Sequence, residues 1–304
     1  MAIKRLPSTG DRPRATGVPD SLVPGGSGDS AGFPWAGRSF DHHGVEFADD
    51  DGAAPAEWLA AASGVRAAAE TFRASSGSEA ARDELAGAHV RAIAALNRCR
   101  LLIPLLAEAG DLGVTPEGRT VEKTQELSIV TVAAPDGRRV MPAFSSVAAM
   151  RAWNPESRPI PVPGPQVALA AAQEGTDLII IDPGTPATEF GVRRTQLEPM
   201  AVGRATVPAW ADPEVGAAFA ASIQAEPRIH AIALEPGDPE GRLHGAELVV
   251  MLLVEPGLER EALQSLVAEV QSHWATSAVI AERVDSVRVS LHAMDGPEVG
   301  RSAR

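Results

Sequence analysis

Residues 127–143 of the chain read LSIVTVAAPDGRRVMPA, and this stretch indicates the class of fold. Two apolar runs, 127–134 and 139–143, flank the turn sequence Pro-Asp-Gly-Arg at 135–138. Apolar runs separated by a turn that contains Asp-Gly are typical of a β-hairpin. Further along, DLIIID at residues 177–182 is followed by Pro-Gly and predicts another buried strand.

Helical patterns lie on both sides of these strands. Upstream, the sequence predicts helices over residues 55–74 and 79–98, with Ser78 placed to cap the second one. Downstream, Asp-Pro-Glu at 212–214 is typical of a helix start, and residues 259–274 predict a further helix between strands. Helices mixed with hairpins in this way indicate the α+β fold class.

Three short segments complete this prediction. Residues 146–153 predict a short helix with Ser145 as its N-cap. Residues 110–118 are expected to form a loop. Five prolines between residues 155 and 165 predict an extended, polyproline-like connector.

Composition divides the chain into four parts. Residues 1–32 are rich in Pro, Gly, Ser and Asp and have few apolar side chains, so we expect a disordered tail. Residues 33–52 hold a third of the aromatic side chains and are expected to form an extended arm that docks on the folded body. Residues 53–203 and 204–304 each have their own pattern of helices and strands. We therefore expect two tandem α+β domains with separate cores.

The charge excludes two classes of partner. The chain has 27 Lys and Arg against 40 Asp and Glu, a formal net charge of −13. Nucleic acids and anionic membranes both attract basic surfaces, so neither is expected to bind. Residues 204–304 hold 8 basic and 15 acidic side chains. This part of the chain favours an unidentified protein partner of basic character.

The apolar runs and the single cysteine bear on location. The longest apolar runs have seven residues, far fewer than the ~20 that a membrane span needs. Residues 1–13 lack the apolar core of a signal peptide. Cys99 is the only cysteine, so an intrachain disulfide is excluded. We expect a cytoplasmic protein in a reducing compartment.

No catalytic arrangement is recognisable in the sequence. It lacks a Gly-x-Ser-x-Gly elbow, a Walker loop, a His-Glu-x-x-His pair and a dinucleotide-binding glycine run after a strand. Cys99 lies beside an apolar strand, the setting of an inert buried thiol. Asp-His-His at 41–43 offers metal donors, but adjacent histidines in extended chain point to opposite sides. We expect neither a metal nor a cofactor, and no enzymatic activity.

Arg138, Arg139 and Ser145 form a candidate ligand-binding site. Ser145 is predicted at a helix start, just after the hairpin that carries the two arginines. Free N–H groups at a helix start, together with guanidinium groups, can hold a phosphate or a carboxylate. The alternative is that Ser145 only caps the helix.

Eight segments between residues 33 and 292 carry a resemblance. They are FPWAGR at 33–38, the Asp-Asp-Gly turn at 50–52, residues 101–107, IVTVAAPDGRRV at 129–140, PAFSSV at 142–147, RPIPVP at 158–163, DPG at 182–184 and ERVDS at 282–286. In this order and spacing they resemble the SseB family (enhanced serine sensitivity protein B), in the form that actinobacterial proteins take. The sequence departs from the family at Ser145-Ser146, where Phe-Thr-Ser is more usual, and in the pair His42-His43.

The resemblance implies an N-terminal SseB-type domain followed by a C-terminal domain of the same family. It implies little about chemistry, because the family takes its name from a phenotype. The leading hypothesis is a non-enzymatic, cytoplasmic protein-interaction or regulatory module. The alternative is a protein that binds an anion or metabolite, or an unrecognised enzyme, with its site near Arg138, Arg139 and Ser145. A cavity of ~300 Å³ or more at these residues favours the alternative, and a flat apolar surface rimmed by acids favours the leading hypothesis.

Overall fold

The computed structural model of the chain confirms the hairpin expected around residues 135–138 only in part. The first strand predicted at 127–134 is split, because residues 127–129 pair with residues 105–107 in another sheet. Val132–Ala133 (β5) pairs antiparallel with Arg139–Ala143 (β6). Gly137 has a φ angle of 83°, which lies in the left-handed region that glycine adopts without steric cost. The α+β fold class is confirmed by the mixture of helices and sheets.

The structure describes residues 47, 49–109, 112–114, 120–122, 125–133 and 137–293. The strand residues 106–109, 112–114, 120–122 and 125–129 are described by their backbone alone. The expected tail, residues 1–32, and all but the last few residues of the expected arm, 33–52, lie outside the described residues.

The helices of the described residues include those predicted at 55–74, 79–98, 146–153 and 259–274, within a few residues, and one at 278–283 that was not predicted. They are α1 Ala56–Ala74, α2 Glu79–Arg98, α3 Val147–Trp153, α4 Gly164–Gln173, α5 Arg194–Ala201, α6 Pro213–Ser222, α7 Arg260–Thr276 and α8 Ala278–Arg283. The remaining strands are β1 Arg100–Ala109, β2 Leu112–Val114, β3 Thr120–Glu122, β4 Gln125–Ile129, β7 Arg158–Pro163, β8 Leu178–Ile181, β9 Phe190–Val192, β10 Ile229–Pro236, β11 Leu248–Val254 and β12 Val287–Ala293. The loop expected at residues 110–118 is wrong in part, because β2 lies within it and pairs with β3.

One sheet has the strand order β5-β6-β8-β9, with β6 and β8 parallel. Successive side chains of a strand point to opposite faces, so each strand contributes to both sides of this sheet. Met141 and Ile179 on one face belong to the main hydrophobic core. Val140 and Ile180 on the other face belong to a small separate cluster that includes Leu178 and contacts Leu243.

The polyproline-like connector expected between residues 155 and 165 is wrong. Residues 158–163 form β7, an edge strand that pairs antiparallel with β1 in the sheet β4-β1-β7. The amide of Gly164 donates to the carbonyl of Cys99 on the β1 side, at 3.0 Å. Alternate residues face the same side, so Pro159, Pro161 and Pro163 have their nitrogens on the outer edge, where no ladder hydrogen bond is needed.

The third sheet has the order β10-β11-β12, with β12 parallel to β11. Leu248, Val250 and Leu252 of β11 are completely buried on the inner face of this sheet. Leu266 and Val270 of α7 belong to the same core. Apolar residues of α7 and of β11 thus share one core.

One hydrophobic core joins the two segments for which separate cores were expected. It contains Trp58 of α1, Leu85 of α2, Ile179 of β8, Phe219 of α6 and Val250 of β11. Residues 51–304 accordingly form a single compact unit, and residues 1–50 are assigned to another. The division into family domains at 203/204 stays a prediction, but the buried apolar residues do not divide there.

Side chains cap several helices. Ser78 accepts a hydrogen bond from the amide of Ala81, as predicted, at 3.4 Å. The prediction that Ser145 caps the short helix α3 is wrong, because Ser146 is the cap and accepts from the amide of Ala149. Sequence pattern alone does not separate adjacent serines, which have the same capping chemistry.

Candidate functional site

A cavity of about 460 Å³ lies against the second face of the sheet β5-β6-β8-β9. Its floor is apolar, and polar groups lie at Arg138, His244 and Ser286. The residues that line it are Val132, Arg138, Val140, Leu178, Ile180, Leu243, His244, Gly245, Ala246 and Ser286. It is therefore formed by β5, β6 and β8, by a loop near residue 244 and by Ser286, which precedes β12.

The alternation of β6 brings Arg138 to this cavity. Arg138 and Val140 are two residues apart, and both line the cavity. Arg139 lies between them, is exposed and does not line it. The backbone amide of Arg139 donates to the carboxylate of Asp177 at 3.2 Å, which fixes this end of the strand.

Residues 242–246 form the wall opposite the sheet, and Asp238 holds this loop. Its carboxylate accepts hydrogen bonds from the amides of Arg242, at 3.1 Å, and Leu243, at 2.7 Å. Leu243 has a φ angle of 59°, a conformation that non-glycine residues rarely adopt without such support. A Cβ atom at Gly191 would overlap the Leu243 side chain. The glycine therefore lets the loop lie directly on the sheet.

A buried ionic network lies next to the cavity and joins three segments of the chain. Arg193 donates to Asp238 at 2.7 Å and to Asp285 at 3.1 Å, and all three side chains are at least nine-tenths buried. Arg138 donates to both oxygens of Asp285, at 2.9 and 3.0 Å. Ser286 donates its hydroxyl to the same carboxylate at 3.0 Å. Asp285 is thus shared by two guanidinium groups, one of which lines the cavity.

Two carboxyl groups near this network have shifted pKa values. Burial opposes the ionised form of Asp285, but the hydrogen bond from Arg138 and the charge of Arg193 outweigh burial and lower its pKa. Burial raises the pKa of Glu247, although the amides of Asp285 and Ala209 donate to its carboxylate at 2.8 and 3.2 Å. Both carboxylates therefore accept hydrogen bonds from other parts of the fold, and neither lines the cavity.

Ser145 belongs to a different arrangement. It is 1% exposed, and its hydroxyl donates to the completely buried carboxylate of Asp182 at 2.6 Å. Its amide donates to the other carboxylate oxygen at 2.7 Å. These two bonds hold Asp182 at a positive φ angle of 48°, at the end of β8. The structure therefore places Arg138 alone of the three predicted site residues in the cavity.

Other reactive side chains are buried away from the cavity. His89 lies between Phe190 and Trp210, and its Nε2 is 2.9 Å from the carbonyl of Pro239. Burial lowers the pKa of His89, so the imidazole is neutral and holds the 239 loop. Burial raises the pKa of Cys99, which agrees with the inert thiol expected from the sequence.

The part of the chain that the structure describes bears on metal binding and on membrane insertion. No group of three or more His, Cys, Asp and Glu side chains is placed there to hold a metal ion. No helix among those residues has both the length and the apolar character needed to cross a bilayer. The Asp-His-His sequence at 41–43 lies outside them.

Sequence reasoning missed the residues that cover the sheet. The run Leu-Ile-Ile-Ile in β8 has no polar alternation, and this pattern is typical of a strand covered on both faces. This pattern indicated that some element covers the second face of β8, but it did not identify the loop that does so. Leu243, His244 and Asp285 lie 60 residues or more from the strand and contain no motif that points to it.

The chain was then compared with known proteins. Residues 78–202 match the family model of the SseB protein N-terminal domain. This match supports the resemblance to the SseB family over α2 to α5. The matched residues include Arg138 and the cavity floor, whereas the wall at 242–246 and Asp285 lie outside them. No curated protein and no solved structure matches the chain.

Proposed function

We propose that this chain is a binding protein for a small apolar ligand with a carboxylate or similar anionic group, and that the cavity at Arg138 is its site. The observation that carries the proposal is the cavity itself, at about 460 Å³. Small-molecule sites generally enclose roughly 300–1,000 Å³, are lined mostly by apolar side chains and contain a few polar groups that fix orientation.

The floor suits the apolar part of such a ligand. Val140, Leu178 and Ile180 lie side by side on adjacent strands and offer a continuous aliphatic surface. Leu243 covers it from the opposite side. An apolar group that enters this space leaves water, and each buried methylene contributes about 0.8 kcal/mol.

Arg138 suits the anionic part. Guanidinium groups bind carboxylates with two parallel hydrogen bonds, and such charge-assisted bonds are stronger than neutral ones. A ligand anion would compete with Asp285 for Arg138. Asp285 also accepts from Arg193 and from the hydroxyl of Ser286, so it keeps two partners when Arg138 turns to a ligand.

The proposal concerns binding rather than catalysis. Within the described part of the chain, the cavity lining includes a guanidinium, an imidazole and a hydroxyl group but no carboxylate and no thiol. Ser286 donates to Asp285, an arrangement that orients the hydroxyl but supplies no general base for nucleophilic attack.

We infer a cytoplasmic location from the single buried thiol of Cys99.

Calorimetric titration of the full chain with hexanoate and with hexan-1-ol tests this function. We expect hexanoate to bind more tightly than the alcohol, because only the acid pairs with Arg138. Arg138→Ala should weaken hexanoate binding about tenfold or more, since a hydrogen bond to a charged group contributes about 1.5–3 kcal/mol. Arg139→Ala is the matched control, because this exposed neighbour does not line the cavity. Equal loss in both variants, or equal binding of acid and alcohol, would contradict the proposal.

A protein-interaction role is the second candidate, and the excess of acidic over basic side chains in residues 204–304 favours it. Here residues 204–304 would be the C-terminal domain of an SseB-family protein of the actinobacterial type, steering a basic partner by their acidic surface. Steering between opposite charges weakens as salt rises. Recovery of the same partner at low and moderate salt alike would argue against such steering.

A further inference from the structure

The outer edge of β12 is open. Among the described residues, β12 pairs with β11 on one side and with no strand on the other. Its seven residues follow β11 in unbroken parallel register from Val287 to Ala293. The opposite edge strand, β10, has a register shift between Ile229 and Ala231 and ends at Pro236. Natural sheets use such bulges and prolines to block further pairing, and β12 has neither.

The hydrogen-bonding groups of β12 alternate between its two sides. The amide of Leu248 donates to the carbonyl of Ser286 at 3.1 Å, so residue 286 faces β11. Along a strand, every second residue faces the same neighbour. The backbone groups of Ser290 therefore face β11, and those of Val287, Val289 and Leu291 face outward.

An apolar groove runs beside this edge. It has a volume of about 460 Å³ and lies between α7 and β12. Leu263, Val267 and Ala268 of α7 form one side of it, and Leu291 lies on the strand side. Leu291 is 37% exposed and Val287 is 38% exposed. The groove therefore borders the open edge, on the face of β12 to which Leu291 belongs.

A positively charged side chain, Arg288, lies on the other face of β12 and favours a particular charge in any strand added there. Arg288 is exposed, and no other described residue accepts a hydrogen bond from it or forms an ion pair with it. On an added strand, the side chain directly opposite Arg288 would lie within about 5.5 Å of it, where opposite charges attract and like charges repel. An acidic side chain at that position is therefore favoured.

We propose that the open edge of β12 binds an extended segment of a partner protein by strand addition, a role that goes beyond ligand binding at Arg138. The segment alternates apolar residues, which enter the groove at Leu263 and Leu291, with polar residues on the other face. One of those polar residues is acidic and lies opposite Arg288. Backbone hydrogen bonds to Val287, Val289 and Leu291 provide the attachment.

A second copy of this chain fits the edge less well. In a twofold antiparallel pairing centred on Ser290, Arg288 would lie opposite His292 of the second copy. β12 itself contains no acidic side chain, so a second copy paired through this edge would place none opposite Arg288. Complementary charge therefore favours a different protein over self-association.

The test uses the full chain and two synthetic peptides, KVTVEVTVK and KVTVKVTVK, which differ only in the charge of their central residue. We expect the peptide with central Glu to bind the wild type roughly threefold to tenfold more tightly, as measured by fluorescence anisotropy. Arg288→Glu should reverse this preference. Arg158→Glu, a matched change at an exposed position of β7, should leave it unchanged.

Hydrogen exchange locates the bound peptide. Strand addition should slow amide exchange at Val287, Val289 and Leu291, because these amides become donors to the peptide. Absence of binding by either peptide, an unchanged preference in Arg288→Glu, or protection elsewhere would overturn the proposal. Concentration-dependent dimers with the same protection and no peptide would also overturn it in favour of self-pairing. Hexanoate binding is measured separately, so a failure here leaves the Arg138 site unaffected.

Discussion

The strands β7 and β12 each lie at the edge of a sheet, and their outer edges differ in chemistry. On β7, each of the three outward positions from 159 to 163 is a proline, so no N–H group is available there. On β12, the outward positions 287, 289 and 291 are Val, Val and Leu, and all retain their N–H groups. One edge is closed to pairing and the other is suited to it.

The two strands also differ in how the chain holds them. β12 follows directly after Asp285 and Ser286, which belong to the buried ionic network. β7 follows a turn in which Ser157 donates its amide to the carbonyl of Asn154. Besides its pairing with β11, β12 is thus anchored by the buried Asp285 and by Ser286, which lines the Arg138 cavity, whereas β7 is held by its pairing with β1.

The largest expected effect comes from removing the network that holds β12. Asp285→Ala should lower the free energy of unfolding by about 3–5 kcal/mol, because it leaves the buried Arg193 without one of its two carboxylate partners. Urea unfolding followed by circular dichroism measures the loss. The corresponding change at the start of β7, Arg158→Ala, removes an exposed side chain and should stay within about 0.5 kcal/mol. A loss of under 1 kcal/mol for Asp285→Ala would contradict the importance of the network.

Proline substitutions test which side of β12 is open. Ser290→Pro removes an N–H that faces β11 and should cost about 1–3 kcal/mol more than Leu291→Pro, whose N–H faces outward. Both variants are compared by urea unfolding. If Leu291→Pro is the more damaging substitution, the assignment of the outer edge is wrong.

Acid should loosen β12 before β7. The pKa of Asp285 is lower in the folded chain than its ordinary value near 3.8. Its contribution to stability is therefore present above about pH 4 and is lost as the pH falls through the lowered value. Native-state hydrogen exchange between pH 5 and pH 3, corrected for the intrinsic rate, should show β12 amides losing protection first. Parallel loss in β7 and β12 would show that the two strands do not differ in this way.

The smallest effect on stability is expected from opening the closed edge. Pro161→Val restores one outward N–H on β7 and should change the free energy of unfolding by less than about 1 kcal/mol. The same variant should self-associate more at high concentration, as measured by light scattering, because an unpaired donor is now exposed. Pro155→Val, in the turn before β7, is the control. Equal self-association of both variants would argue that the prolines of β7 do not block pairing.

Much of the fold could be predicted because local patterns determine it. The helices α1 and α2 have apolar residues at helical spacing and are present as predicted. The hairpin at 135–138 has strong turn residues, and it is present with a shorter first strand than predicted. The strand β7 was not predicted because prolines at alternate positions are compatible with two structures, a polyproline helix and an edge strand. Only the pairing partner β1 distinguishes these structures, and sequence spacing does not show it.

The candidate site could be predicted only in part, for a related reason. Arg138 follows the hairpin turn, so its position near a strand end was visible in the sequence. Because side chains alternate along β6, Arg138 faces the cavity and Arg139 does not. The hydrogen bonds that Ser145 donates to Asp182 hold Ser145 outside the cavity. The covering loop at 242–246 depends on contacts across 60 or more residues, which local patterns do not encode.

The central claim is that the Arg138 cavity binds an apolar acid, and methyl NMR of the full chain titrated with hexanoate tests it most directly. We predict saturable shifts of the methyl groups of Leu178, Ile180 and Leu243, which line the cavity. In Arg138→Ala these shifts should require about tenfold more hexanoate, and in Arg139→Ala they should be unchanged. Shifts confined to other methyl groups, such as those of Leu263 and Leu291 in the α7 groove, or no shifts at all, would contradict the claim.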